Sequence, residues 1–201
     1  MAELETADRF EIRQLIRPVV NLYHVSLLDR AGQSGPPVAF VRQKRLKIRE
    51  DIRFYADEGE TREIFAIKAR SVFEFAGVND VVDVAGGKIG VLAKQFGRSL
   101  LRSTWEVQDA AGRLVLTAHE RSVALAVLRR VWGLIPFVGD FPFLIPFHFD
   151  LLVDGAKVGS VDRPIGFADR YVLDVSSVPP ETLDRRLAVA FGVALDALQD
   201  R

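Results

Sequence analysis

The sequence contains no cysteine. That absence removes a disulfide scaffold, a zinc–thiolate site, an iron–sulfur cluster and a cysteine nucleophile together, and it suits a reducing compartment. Net charge is missing as well: lysine plus arginine and aspartate plus glutamate both total 27. Overall charge therefore steers the chain toward neither nucleic acid nor an anionic surface, and any such partner requires a local patch. Nucleic acid is not an expected partner. Long hydrophobic runs are lacking too. Stretches free of formal charge, such as Val131 to Gly139 and Phe141 to Phe149, fall far short of the roughly 18–20 residues that span a bilayer. The N-terminus, Met1-Ala2-Glu3-Leu4-Glu5, is acidic where a secretory leader is basic and then apolar. The expectation is a cytoplasmic protein, with peripheral membrane association as the closest approach to a bilayer.

Catalytic signatures are equally scarce. His24, His119 and His148 lie far apart, with no Gly-x-Ser-x-Gly elbow or His-Glu-x-x-His spacing. They read as half-buried strand residues. Asp80 and Asp83 are close in sequence but lack further ligands at a metal-binding spacing. Gly86-Gly87-Lys88-Ile89-Gly90 has neither P-loop spacing nor a following helix, and reads as a hairpin turn. No enzyme activity, metal or cofactor is expected.

What is present is a chain of 201 residues, 49% apolar and 27% charged, without an evident linker. This predicts one domain over residues 1–201, with the first 20 or so residues peripheral. Up to about residue 175 short strand-like segments alternate with turn residues. Asn21 to Asp29 is the first; Val38 to Tyr55 follows, with apolar Leu46, Ile48, Ile52 and Phe54 against charged Lys47, Arg49 and Arg53. Glu63 to Arg70 alternates in the same way. Val78–Val84 and Lys88–Lys94 read as a hairpin across Gly86-Gly87, and Leu101–Val107 with Leu114–Glu120 as another. Phe147–Val153, Lys157–Asp162 and Arg170–Val175 complete the series. Roughly ten to twelve strands at this spacing favour a closed barrel or sandwich.

The C-terminus breaks the pattern. Pro179-Pro180 is expected to open a helix. From Leu187 to Leu195 no side chain is polar, so the helix is apolar all round and must be surrounded. Those residues rise only ~14 Å as a helix, too short for a bilayer. A helix inside a barrel is the economical solution. Asp196 is expected to emerge at the barrel mouth, capped by arginines or solvent.

The segments Lys88–Lys94, Leu100–Val107 and Leu187–Leu198 resemble the LURP-one-related and phospholipid scramblase-like proteins of the Tubby C-terminal-like group. The likeness runs from about Asn21 to the end of the chain. It implies a mainly β fold: a closed antiparallel barrel of about twelve strands around a hydrophobic C-terminal helix. Since some members of that group bind phosphoinositides, it also implies anionic lipid as a ligand class.

Two stretches are candidates for binding. Arg42, Lys44, Arg45, Lys47 and Arg49 place five cations in eight residues. They suit phosphate contact, though a charge run of this kind is more often the solvated outer face of a strand. Lys88, Lys94, Arg98 and Arg102 join that patch only if the barrel brings them close. Arg129, Arg130 and Trp132 adjoin the proline- and aromatic-rich stretch 131–147, which either plugs an end of the barrel or meets a membrane or partner. The leading expectation is a non-enzymatic module that binds anionic phospholipid or phosphoinositide head groups. The alternative is a structural or protein-interaction domain that uses 131–147 to dock a partner or a second copy.

Overall fold

The computed structural model describes residues 2–16, 20–44, 51–70, 77–95, 104–121, 148–163 and 170–198. After a short helix, Ala2–Thr6, come β1 (Arg9–Ile16), β2 (Val20–Leu28), β3 (Ser34–Lys44), β4 (Asp51–Tyr55), β5 (Glu63–Ala69) and β6 (Val78–Asp83). Then follow β7 (Lys88–Gln95), β8 (Thr104–Asp109), β9 (Leu114–Glu120), β10 (His148–Val153), β11 (Ala156–Asp162) and β12 (Arg170–Asp174). The last element is a helix, Arg185–Ala197. Each strand pairs antiparallel with its neighbours in sequence, and β1 pairs with β12 to close the barrel. Closure leaves no sheet edge for another chain to pair with.

The alternation that marks these strands in the sequence is also what separates their two faces. On β2, Asn21, Tyr23 and Val25 are buried while Leu22 and His24 are half-buried. On β4, Ile52 and Phe54 are buried and Asp51, Arg53 and Tyr55 are not. The inward faces meet the central helix, whose residues from Leu187 to Leu195 are all buried. A barrel of about eight strands is filled by its own side chains, and the bore widens with strand number. Twelve strands leave room for a helix about 10 Å across. Trp105 from β8 packs edge-on against Phe191 of the helix, with ring centroids 6.2 Å apart. At Gly90 of β7 an added Cβ would lie 2.4 Å from the Gln108 carbonyl and 2.7 Å from Leu187, so glycine lets helix and wall approach.

The two ends of the barrel differ. One carries the tight connections at 29–33, 56–62, 84–87 and 110–113 together with the N-terminal helix, and we call it the turn end. At the other, the exit end, β1, β3, β5, β7, β9 and β11 finish. The central helix starts at the turn end and finishes at the exit end.

Three sequence expectations change. The N-terminal segment is not all peripheral: Arg9–Ile16 is the strand that closes the barrel, with Phe10 and Ile12 fully buried. Val38–Tyr55 is not one strand but parts of β3 and β4, which pair with each other. The helix opens at Arg185 rather than at Pro179-Pro180. The Pro179 carbonyl accepts from Thr182 N–H at 2.9 Å in a preceding turn, and Asp184 is the N-cap, accepting from Arg186 N–H at 2.9 Å.

The turn end also shows a recurrence. At Asp29, Asp83 and Asp109 the carboxylate accepts the N–H of the residue four positions on, at 2.8, 2.7 and 2.9 Å. The glycine three positions on (Gly32, Gly86, Gly112) has φ of 78°, 84° and 81°. Asp57 makes the same carboxylate contact, accepting from Thr61 N–H at 3.1 Å, in a wider turn that Ala56 N–H closes on the Arg62 carbonyl at 2.9 Å. There the left-handed position is held by Glu60, with φ 56°.

Candidate functional site

Of the cations singled out in the sequence, the structure describes the side chain of Arg42. Lys44 is described only in its backbone pairing with Val20. Arg45, Lys47, Arg49, Arg129, Arg130 and Trp132, with the stretch 131–147, lie outside the described residues. Lys88 and Lys94 do not extend the Arg42 patch. They sit at opposite ends of β7, and β4, β5 and β6 separate that strand from β3. Lys94 is the cross-strand partner of buried Trp105, and its Nζ lies 5.8 Å from that ring.

Arg42 occupies the outer face of the barrel, since its neighbours Val41 and Gln43 are buried inward. Directly opposite on β4 is Arg53. Like charges facing each other across an antiparallel pair repel, and carboxylates offset the repulsion. Arg53 Nε donates to Asp51 Oδ1 at 3.1 Å and its Nη1 to Glu63 Oε2 at 2.9 Å. The Asp51 hydrogen bond, foremost, holds the Arg53 guanidinium above its ordinary pKa. Arg42 Nη1 donates to Glu60 Oε2 at 2.6 Å.

The turn that follows β4 at Tyr55 brings Glu60 there. Backbone N–H groups of Thr61 and Arg62 donate to Asp57 at 3.1 and 2.9 Å. The Thr61 bond is the main cause that keeps the Asp57 carboxyl below its usual range. Arg42, Asp51, Arg53, Tyr55 and Glu60 line a groove of about 230 Å³, smaller than the roughly 300–1,000 Å³ of drug-sized pockets. Burial, then the Glu60 and Glu63 carboxylates, raise the Tyr55 pKa, so its hydroxyl stays a neutral donor at physiological pH.

Sequence reasoning picked out Arg42 by charge density and missed Arg53, Tyr55 and Glu60 as its companions. Outward parity on β4 was a usable signal for the first two. For Glu60 the signal was the recurring Asp-x-x-Gly turn, in which it replaces the last glycine.

A second polar group lies inside the barrel at the exit end. Asp196 accepts from the hydroxyls of Tyr23, at 2.8 Å, and Tyr171. It stands at the mouth as expected, and these two hydrogen bonds come from tyrosines of the barrel wall. Burial, and next the Asp196 charge, push the Tyr23 hydroxyl well above its ordinary pKa. Gln14 donates to Tyr23 at 3.3 Å, Asn21 to Gln43 at 2.9 Å, and Gln43 to the Ala197 carbonyl at 3.2 Å. These bonds tie the end of the helix to the wall.

The histidines are half-buried strand residues, and His148 Nδ1 lies 2.7 Å from Asp162 Oδ1. Among the described residues no group of three or more histidine or acidic side chains is placed to hold a metal.

Comparison with curated proteins gives no match. The sequence profile of the LURP-one-related family matches residues 38–196, a span from within β3 almost to the end of the central helix. The chain belongs to the LURP-one-related family.

Proposed function

We propose that this barrel is a non-enzymatic binding module that recognises the phosphate of anionic lipid head groups at a membrane surface. The observation that carries the reading is the outer groove in which Arg42 and Arg53 stand side by side, at the start of the cation-rich stretch 42–49. A guanidinium is a planar fork of five donors that matches phosphate geometry. The Arg42 fork, with Arg53 and a tyrosine hydroxyl beside it, suits a phosphate better than a neutral ligand. Among the described residues no helix is long and apolar enough to cross a membrane, and the proposal places contact at the surface.

Co-sedimentation with phosphatidylcholine vesicles, with and without an acidic lipid, tests this. The expected result is binding only to acidic vesicles, weakening as salt rises. Neutralising Arg42, Lys44, Arg45, Lys47 and Arg49 to glutamine is expected to reduce partitioning about fivefold per residue, from about 1 kcal/mol for each basic side chain near an anionic surface. Failure of the native protein to bind either vesicle would sink the reading.

A further inference from the structure

We propose that the groove between Arg42 and Arg53 is a phosphate-sized anion site that Glu60 occupies as a built-in competitor while no ligand is bound. The inference rests on the anionic-ligand reading above and adds a residue that regulates it.

Three observations support it. First, Glu60 stands in the left-handed region, φ 56°, a conformation that costs side-chain-bearing residues and that glycine adopts freely. The three turns that share its aspartate contact, with Gly32, Gly86 and Gly112 at the matching position, all use glycine there. Local turn chemistry therefore favours glycine at position 60, so the carboxylate is held against the backbone's preference. Strain kept at one point of an otherwise repeated device is a pointer to function.

Second, the carboxylate stands where an anion belongs. Its Oε2 lies 2.6 Å from Arg42 Nη1, and the two side chains are 28% and 39% exposed. A solvent-borne ligand can reach that contact. Among the described residues Glu60 engages Arg42 through one N–H, while Arg42 Nε is buried with no hydrogen-bond partner. A monodentate carboxylate on a fork that can bind two oxygens is replaceable by a phosphate that takes both.

Third, the exchange replaces one negative group by another. Asp51 and Glu63 stay with Arg53, and an oxygen of the incoming phosphate takes the place of the Glu60 carboxylate on Arg42.

The test compares native protein with Glu60→Gln, which removes the charge and keeps the side chain's length, Glu60→Gly, which also removes the strain, and Arg42→Gln. Probes are phosphatidylcholine vesicles carrying phosphatidic acid, the same vesicles without it, and inorganic phosphate by calorimetry. Both Glu60 variants are expected to bind the acidic vesicles about fivefold or more tighter than native protein. Arg42→Gln combined with Glu60→Gln is expected to lose that gain, and Glu60→Gly to melt no lower than native protein. Tighter binding of inorganic phosphate as well assigns the site to phosphate groups in general; a gain confined to vesicles assigns it to the lipid head group, and either supports the competitor. If native protein binds acidic vesicles and the Glu60 variants bind no tighter, the competitor is wrong while the lipid reading survives. If no form binds acidic vesicles or phosphate, both fall. A marked drop in melting temperature for Glu60→Gly makes Glu60 a structural ion-pair partner and overturns the inference.

Discussion

The central helix meets the barrel differently at its two ends. At the turn end it starts with Arg185, only 1% exposed, whose Nη2 donates to Asp8 at 2.5 Å and to the Val178 carbonyl at 2.7 Å. Around it the plug is apolar: Leu4, Val175, Val178 and Leu183 are buried. At the exit end the helix closes with Asp196, held by Tyr23 and Tyr171, and the inward face of the wall turns polar with Gln14, Asn21 and Gln43.

Both charges have the sign that the helix macrodipole disfavours, a cation at the N-terminus and an anion at the C-terminus. That costs about 0.3–1 kcal/mol at each end. A hydrogen bond to a charged group contributes about 1.5–3 kcal/mol, and each charged side chain makes more than one, so the tertiary contacts win. These residues tether the helix; they do not promote it. The difference lies in the partners: mostly backbone carbonyls at the turn end, a set of wall side chains at the exit end.

The largest expected effect tests the turn end. Arg185→Ala leaves the Val178 and Leu183 carbonyls without their guanidinium and opens a cavity in a buried site. Urea unfolding is expected to show a loss of about 3 kcal/mol. A loss under 1 kcal/mol would mean that the apolar plug alone holds this end.

Asp196→Ala is expected to cost less, about 1–2 kcal/mol, because Asp196 is only half-buried and water can replace its carboxylate. The same unfolding measurement decides. If this loss exceeds that of Arg185→Ala, the ranking of the two tethers is reversed.

The smallest effect is a pH dependence confined to the exit end. The Tyr23 pKa is raised in the folded state, so folding favours the protonated hydroxyl. Its contribution is complete below the unfolded tyrosine pKa of about 10 and is lost as pH rises through the higher folded value. Stability is expected to fall above about pH 10, with a shallower fall in Tyr23→Phe. Identical alkaline limbs in the two proteins would show that Tyr23 does not report on this tether.

Where sequence reading failed, the cause was contact made at a distance. β1 was missed because apolar Phe10 and Ile12 are followed in the inward series by Gln14, which breaks the hydrophobic alternation to serve the polar mouth. The break between β3 and β4 was missed because alternation continues across it. Arg42 was found from composition, but its pairing with Arg53 depends on the antiparallel register. The contact with Glu60 depends on the turn after β4 reaching back to β3.

The sequence alone determined that the protein is built from many short strands and that its last helix is enclosed. Periodicity and an all-round apolar surface are local properties, readable over ten residues. Tertiary structure decided the closure through β1, the two charged tethers and the groove of Arg42, Arg53 and Glu60. Each of these joins residues whose proximity is set by register and barrel closure, neither of which is written in a local window.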